Sequence, residues 1–233
     1  MRWYVVIYVD PDSNRSYTYA QVRSTAIEFG KGLKAQWDWK RGDVLALYTP
    51  NCIDTPAVTW GCHWAGGILS PANPGYTIDE LAFQLKDSGA RALITQKPYL
   101  EAAVAACKKV GIQEDRIILM GDERDDTAKF KHFSSITNLS RASRYRRTRA
   151  DPKKDLAFLV YSSGTTGHPK GVMLSHSNIV SNILMLNTGE GANLSWNGRI
   201  NNEGDKMLAF LPFFHIYVRY FQSKCKHSRT NGT

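Results

Sequence analysis

Cysteine is scarce in this sequence, with four in 233 residues. Cys52, Cys62, Cys107 and Cys225 form no Cys-x-x-Cys pair and have no histidines at zinc-ligand spacing, which argues against both a zinc site and a disulfide framework. A reducing, intracellular setting fits that usage. Long apolar runs are also missing: no segment approaches the roughly 20 residues needed to cross a bilayer. Trp3 to Val9 is apolar after Arg2, but Asp10-Pro11-Asp12 follows with no small-residue cleavage site, so a short strand is expected there and not a signal peptide. Without secretion, the Asn-Leu-Ser tripeptides at Asn138 and Asn193 match the glycosylation pattern by chance. The chain has no internal repeat and no low-complexity segment.

What is present is a globular composition, 42% hydrophobic and 22% charged, enough for one large or two small domains. The net charge is +9, and much of the excess lies in Arg141, Arg144, Arg146, Arg147, Arg149, Lys153 and Lys154. A run of this kind could meet nucleic acid or an acidic membrane surface. Only Tyr145 interleaves the charges, however, and no helix-turn-helix, finger or RNA-binding pattern accompanies them. A solvated basic loop, with no nucleic-acid partner, is the expectation.

From Thr18 onward, helical and strand patterns alternate. Thr18 with Gln21 reads as a capping box, after which Val22, Ala26, Gly30 and Leu33 fall on one helical face. Asp43 to Tyr48 is a β-like run, broken by Thr49-Pro50-Asn51, and a helix from about Ile53 to Ala65 ends at Gly66-Gly67. A brief strand at Ile68 to Ser70 precedes a second capping box, Thr77 with Glu80, whose helix stops at Gly89. Ala90 to Thr95, a helix from Pro98 to Val110, and Arg116 to Met120 continue the order. Repeated β-α-β units imply an α/β fold with mostly parallel sheets flanked by helices. The polar, basic stretch 121–154 shows no sustained period and reads as a long connection with at most one short helix, separating lobes of about 12–120 and 155–217. Beyond it, Asp155 to Tyr161 and Gly171 to Leu174 read as strands, Ser175 to Leu186 as a helix, 187–205 as a loop, and Lys206 to Leu211 as a final strand ended by Pro212.

The strongest chemical signal is Ser162-Ser163-Gly164-Thr165-Thr166-Gly167-His168-Pro169-Lys170-Gly171, directly after an apolar strand. Glycines let backbone N–H groups approach an anion, the hydroxyls of Ser162, Ser163, Thr165 and Thr166 add donors, and Lys170 brings a cation. The pattern differs from the ordinary P-loop: Pro169 stands where that motif needs glycine, and Gly171 where it needs the magnesium-binding hydroxyl. Composition alone suits a polar hairpin turn equally well. Two lures carry little weight. Gly30-x-Gly32-x-x-Ala35 mimics a dinucleotide fingerprint but closes a helix where the fingerprint must open one. Ser175 beside His176 could suggest a nucleophile and base, yet neighbours face different directions on a helix, and Ser175 is a plausible N-cap.

Tyr161-Ser-Ser-Gly-Thr-Thr-Gly-x-Pro-Lys-Gly-Val172 is similar to the AMP-binding motif of the adenylate-forming superfamily, a long and specific pattern. Asp12 to Lys34, Pro50 to Thr95 with its Gly66-Gly67-Ile68-Leu69-Ser70-Pro71-Ala72-Asn73-Pro74 core, and Leu211-Pro-Phe-Phe-His-Ile-Tyr217 resemble the same superfamily. The last stretch looks most like its 4-coumarate–CoA ligase and luciferase-like branch. The resemblance covers most of residues 12–217 and implies an incomplete large N-terminal adenylation domain.

It also implies a two-step reaction: a carboxylate, aromatic or fatty, attacks the α-phosphate of Mg-ATP, and the CoA thiol then displaces AMP. Ser162, Ser163, Gly164, Thr165, Thr166, Gly167 and Lys170 match the positions that hold ATP phosphates. His215 matches the histidine near the reacting carboxylate, and Tyr217 a position lining the acyl pocket. On its own, a histidine after an aromatic pair is more often structural. The family's catalytic lysine, adenine contacts and acidic residue toward magnesium have no counterpart to assign. Alternatives are a non-catalytic nucleotide-binding piece or part of an amino-acid adenylation domain. A cytoplasmic setting is expected, or a peroxisomal one for a full-length parent. Residues 218–233 leave the family pattern inside a motif and are expected to be a disordered tail, translated from an intron or a shifted frame, since Val218, Tyr220 and Phe221 are too few to bury against the cost of ordering the chain.

Overall fold

The structure, a computed structural model, describes residues 5–139, 145–162, 169–189 and 208–216. It opens with an antiparallel hairpin, β1 (Val6–Asp10) and β2 (Arg15–Thr18), leading into α1 (Tyr19–Trp37). Both halves of the expected capping box form: Thr18 Oγ1 accepts from the Gln21 N–H, and Gln21 Oε1 accepts from the Thr18 N–H. β3 (Val44–Tyr48), α2 (Thr55–Trp64), β4 (Ile68–Ala72), α3 (Ile78–Ser88), β5 (Ala90–Thr95), α4 (Leu100–Val110) and β6 (Ile117–Leu119) follow. β7 (Lys131–His132), α5 (Phe133–Leu139), β8 (Leu156–Ser162), β9 (Lys170–Ser175) and α6 (His176–Gly189) complete the order.

Seven strands form one sheet in the order β7-β6-β5-β3-β4-β8-β9, parallel throughout except for the antiparallel β8–β9 pair. Period-2 alternation feeds two cores. Leu45 and Leu47 of β3, with Ala92 and Ile94 of β5, pack under α1, α2 and α5 through Phe29, Leu33, Val58, Cys62, Phe133 and Ile136. Ala46, Tyr48 and Leu93 point the other way, toward Leu81 and Leu85 of α3 and Ala103 and Ala106 of α4. Because both faces are covered, β3 is buried at all five positions and reads as a continuous apolar run. The mostly parallel sheet flanked by helices is the α/β architecture that the β-α-β order implied.

The segments on either side of 121–154 share this sheet through β4 and β8, with Leu69 opposite Phe158. The connection between them holds one short helix among its described residues, within what was expected, and adds a two-residue strand. It contributes β7 and α5, where, among the described side chains, Phe133 and Ile136 enter the hydrophobic core, too few to print a period. Residues 146–148 of its basic part are anchored: the Thr148 N–H donates to Trp64 O (3.1 Å), Thr148 Oγ1 donates to Ala65 O (2.8 Å), and Lys34 Nζ donates to Arg146 O (2.8 Å). Arg146, Arg147 and Arg149 remain exposed.

The glycines of the false fingerprint do not end α1, which runs on to Trp37. Their role is close helix approach. A Cβ on Gly30 would lie 2.7 Å from Gly61 O, and one on Gly61 would lie 2.7 Å from Ala26 O, so α1 and α2 meet backbone to backbone.

Candidate active site

In open α/β sheets, ligands bind beyond the carboxyl ends of the strands, typically where strand order reverses. Here that reversal falls between β3, whose following helix α2 covers one face, and β5, whose following helix α4 covers the other. At this end of the sheet, Arg15 and Tyr17 of the N-terminal hairpin meet Asp54, the N-cap residue of α2, which is fully buried. Arg15 Nη1 donates to Asp54 Oδ2 (3.0 Å) and Nη2 to Oδ1, the Tyr17 hydroxyl donates to Oδ1 (2.7 Å), and the Gly121 N–H donates to Oδ2 (3.2 Å). His132 braces the same loop through Nε2 on Gly121 O (2.9 Å). Burial and the bond to Asp54 push the Tyr17 phenol well up, and the Asp54 carboxylate raises Arg15, so both stay in their donor forms.

The hairpin between β8 and β9 rises from the same edge, because β8 runs parallel to β4. Ser162 and Lys170 face each other as its last strand pair, which brings the two ends of the Ser/Thr/Gly loop together. Both are exposed, and among the described residues Lys170 pairs with no carboxylate. The base of the hairpin is held by Tyr161: its hydroxyl donates to Asp87 Oδ2 (2.5 Å) on α3, and its ring lies over Gly171, where a Cβ would be 3.0 Å from Cζ. Ser163, Gly164, Thr165, Thr166 and Gly167 lie outside the described residues, as does Tyr217.

His215 is exposed in a turn closed by its own N–H on Pro212 O (3.0 Å). Its neighbour Ile216 packs on the core that includes β3 and β8 residues, and Asn51, just after β3, bonds the same segment. The described part of the expected final strand, 208–211, is not a strand. Asn51 takes the carbonyls that a neighbouring strand would have paired, donating from Nδ2 to Ala209 O (3.2 Å) and Leu211 O (2.9 Å). Asn51 and the Arg15–Tyr17–Asp54 group are the residues that sequence reasoning missed. Thr49-Pro50-Asn51 was legible only as a break after a strand.

Ser175 caps α6: its Oγ accepts from the Asn178 N–H (3.2 Å) and its hydroxyl donates to Asn178 Oδ1 (2.8 Å), so its proton is not directed at His176. Cys52, Cys62 and Cys107 are free thiols, and burial raises all three, Cys52 and Cys107 to about 12, so they are inert neutral groups. Among the described residues, no group of three His, Cys, Asp or Glu side chains could hold a metal, and no helix is long and apolar enough to cross a membrane.

Comparison with known proteins agrees with this geometry. The chain is 32% identical over 209 residues to a 4-coumarate–CoA ligase of Pinus taeda, covering 90% of this chain and 36% of that protein. It is 29% identical over 224 residues to a long-chain-fatty-acid–CoA ligase of Bacillus subtilis (strain 168), covering 87% and 38%. The chain therefore spans little more than a third of the curated relatives it matches. ATP-bound MatB from Rhodopseudomonas palustris shares the fold, with a TM-score of 0.75 at 23% identity, covering 96% of this chain and 40% of that one. The sequence pattern of the AMP-binding enzymes matches residues 2–223, nearly the whole chain, and the chain belongs to that family.

Proposed function

We propose that this chain forms the phosphate-holding and carboxylate-facing part of an ATP-dependent acyl-CoA ligase acting on an aromatic or fatty carboxylic acid. The observation that carries the reading is the pairing of Ser162 with Lys170 at the root of a hydroxyl- and glycine-rich loop, on the carboxyl edge of a parallel sheet. The exposed Lys170 ammonium, without a carboxylate partner among the described residues, suits an ATP phosphate. The named relatives supply the reaction class. Ser162, Ser163, Gly164, Thr165, Thr166, Gly167 and Lys170 would hold the phosphates. His215 would stand at the reacting carboxylate and Tyr217 beside the acyl group.

In the first step, a carboxylate oxygen bonds to the α-phosphorus and the bond to pyrophosphate breaks. In the second, the CoA sulfur attacks the acyl carbon, AMP departs with the bonding electrons, and the thiol proton is released. Negative charge concentrates at the phosphates in the first step, where fixed N–H, O–H and ammonium donors stabilise it. Mg2+ would accompany ATP, and no described residue is assigned to it. The setting we propose is cytoplasmic.

Titrating the chain with Mg-ATP, followed by fluorescence or calorimetry, tests the reading. Lys170→Ala should weaken ATP binding by roughly tenfold to a hundredfold, the loss of one charge-assisted contact of about 1.5–3 kcal/mol. Equal ATP affinity in the two proteins would remove Lys170 from the site.

A further inference from the structure

We infer that Asn51 is a positioning residue for His215, fixing the turn that carries the imidazole before substrate arrives. This rests on the reading of His215 as the group beside the carboxylate. The side-chain amide of Asn51 is used at both ends. Nδ2 donates to Ala209 O and Leu211 O, and Oδ1 accepts from the Phe213 N–H at 2.7 Å. Three backbone groups of 208–216 thus depend on one side chain 158 to 162 residues away in sequence.

Among the described residues, little else holds the start of the segment. Leu208 is 80% exposed and Phe210 72%, so apolar burial contributes little before the half-buried Phe213 and Phe214. The Phe213 N–H bond sets the orientation of the turn, and the His215 N–H on Pro212 O closes it two residues later. Asn51 is itself well founded: it follows Pro50 at the end of β3, and the next residue, Cys52, accepts the Thr55 N–H (3.0 Å) that starts α2.

The chemistry of the amide is specific. Aspartate would keep the acceptor for Phe213 but offer two carbonyls a second negative group in place of a donor. Alanine would remove all three bonds. Asn51 is exposed, so neither change empties the core.

Two measurements on the whole chain test the inference: hydrogen exchange of the Phe213 amide, and the NMR shifts of the His215 ring on adding cinnamate or decanoate with Mg-ATP. In the unmodified chain, the His215 signals should move with added acid. Asn51→Ala should speed Phe213 exchange by roughly tenfold or more and abolish the His215 response, with the His132 ring signals unchanged as a report on the fold. Asn51→Asp should retain most of the Phe213 protection while blunting the His215 response. Unchanged Phe213 exchange in Asn51→Ala would overturn the anchoring. Faster exchange with an intact His215 response would overturn the positioning role. A His215 ring that ignores both acids in the unmodified chain, with the exchange effect still present, would defeat the carboxylate reading and the positioning role with it, while leaving the anchor itself standing.

Discussion

Arg15 and Asp54 stand 39 residues apart in sequence and form a two-pronged ion pair at the start of α2, with Asp54 fully buried and Arg15 partly so. The N-terminal hairpin is thereby tied to the start of α2, while the β8–β9 hairpin lies at the far side of β4 in the sheet order. A buried carboxylate that keeps three kinds of donor is tolerable, whereas one that loses its cation is not. Arg15→Ala should therefore cost about 3–5 kcal/mol of stability. Arg15→Lys should recover only part of it, since an ammonium cannot reproduce the fork. Urea unfolding of the three proteins gives the comparison, and a loss below about 1 kcal/mol for Arg15→Ala would mean that the pair is solvated.

The contact of α1 with α2 makes a separate prediction. Gly61→Ala would set a Cβ 2.7 Å from Ala26 O and from Phe29 Cδ1, and backbone cannot yield as a side-chain tip can. The higher helix propensity of alanine, worth about 1 kcal/mol, should be outweighed by overpacking. Gly61→Ala is thus expected to lower the thermal midpoint despite sitting in a helix, and a raised midpoint would show that the helices separate freely.

His132 sets a pH dependence. Its Nε2 meets Gly121 O, while Nδ1 faces the Ser134 N–H (3.3 Å), so the geometry suits the neutral ring with Nδ1 as acceptor. Burial first, then the Arg124 and Arg15 charges, lower its pKa, and the Gly121 carbonyl and Asp54 oppose them. With the folded pKa below the unfolded value of about 6.5, the unfolded chain binds the proton more readily. Stability should be full above that value and decline as pH falls below it. His176, also depressed by burial, adds in the same direction. In denaturant titrations between pH 7.5 and about 5, His132→Gln should flatten the slope, and an unaltered slope would assign the effect elsewhere.

How much of this was legible depended on whether the signal was local. Thr18 with Gln21, Thr77 with Glu80 and Ser175 as a cap were readable because each partner lies within one turn. The buried run Val44–Tyr48 and the β-α-β order revealed the parallel sheet, since burial on both faces leaves its mark on every residue of a strand. The Ser162–Lys170 loop was visible through composition and family pattern together. Asp54 was not: an aspartate ahead of a helix looks like an N-cap, yet it makes no side-chain cap bond and spends its oxygens on Arg15 and Tyr17. Asn51 was invisible for the same reason, because its partners at 209–213 are set by the fold and not by spacing.

Tyr161 offers the last test, at the end of β8 where the proposed phosphate-holding loop begins. Its pKa is raised, first by burial and then by the Asp87 carboxylate, so the hydroxyl remains a donor throughout the neutral range. Tyr161→Phe deletes that one bond and keeps the ring over Gly171. The direct cost should be about 0.5–1.5 kcal/mol, from a hydrogen bond to a partly exposed carboxylate. If the bond serves only the fold, ATP affinity should be unchanged once the protein is folded. If it sets the angle at which Ser162 and Lys170 leave the sheet, ATP binding should weaken several-fold, and Asp87→Asn, which still offers an acceptor, should do less harm than Asp87→Ala. We expect the second pattern, because Tyr161 is adjacent to Ser162, and Gly171, the residue beneath its ring, is adjacent to Lys170. Calorimetric ATP titrations of the three variants decide it, and equal affinities across all of them would confine Tyr161 to a structural role.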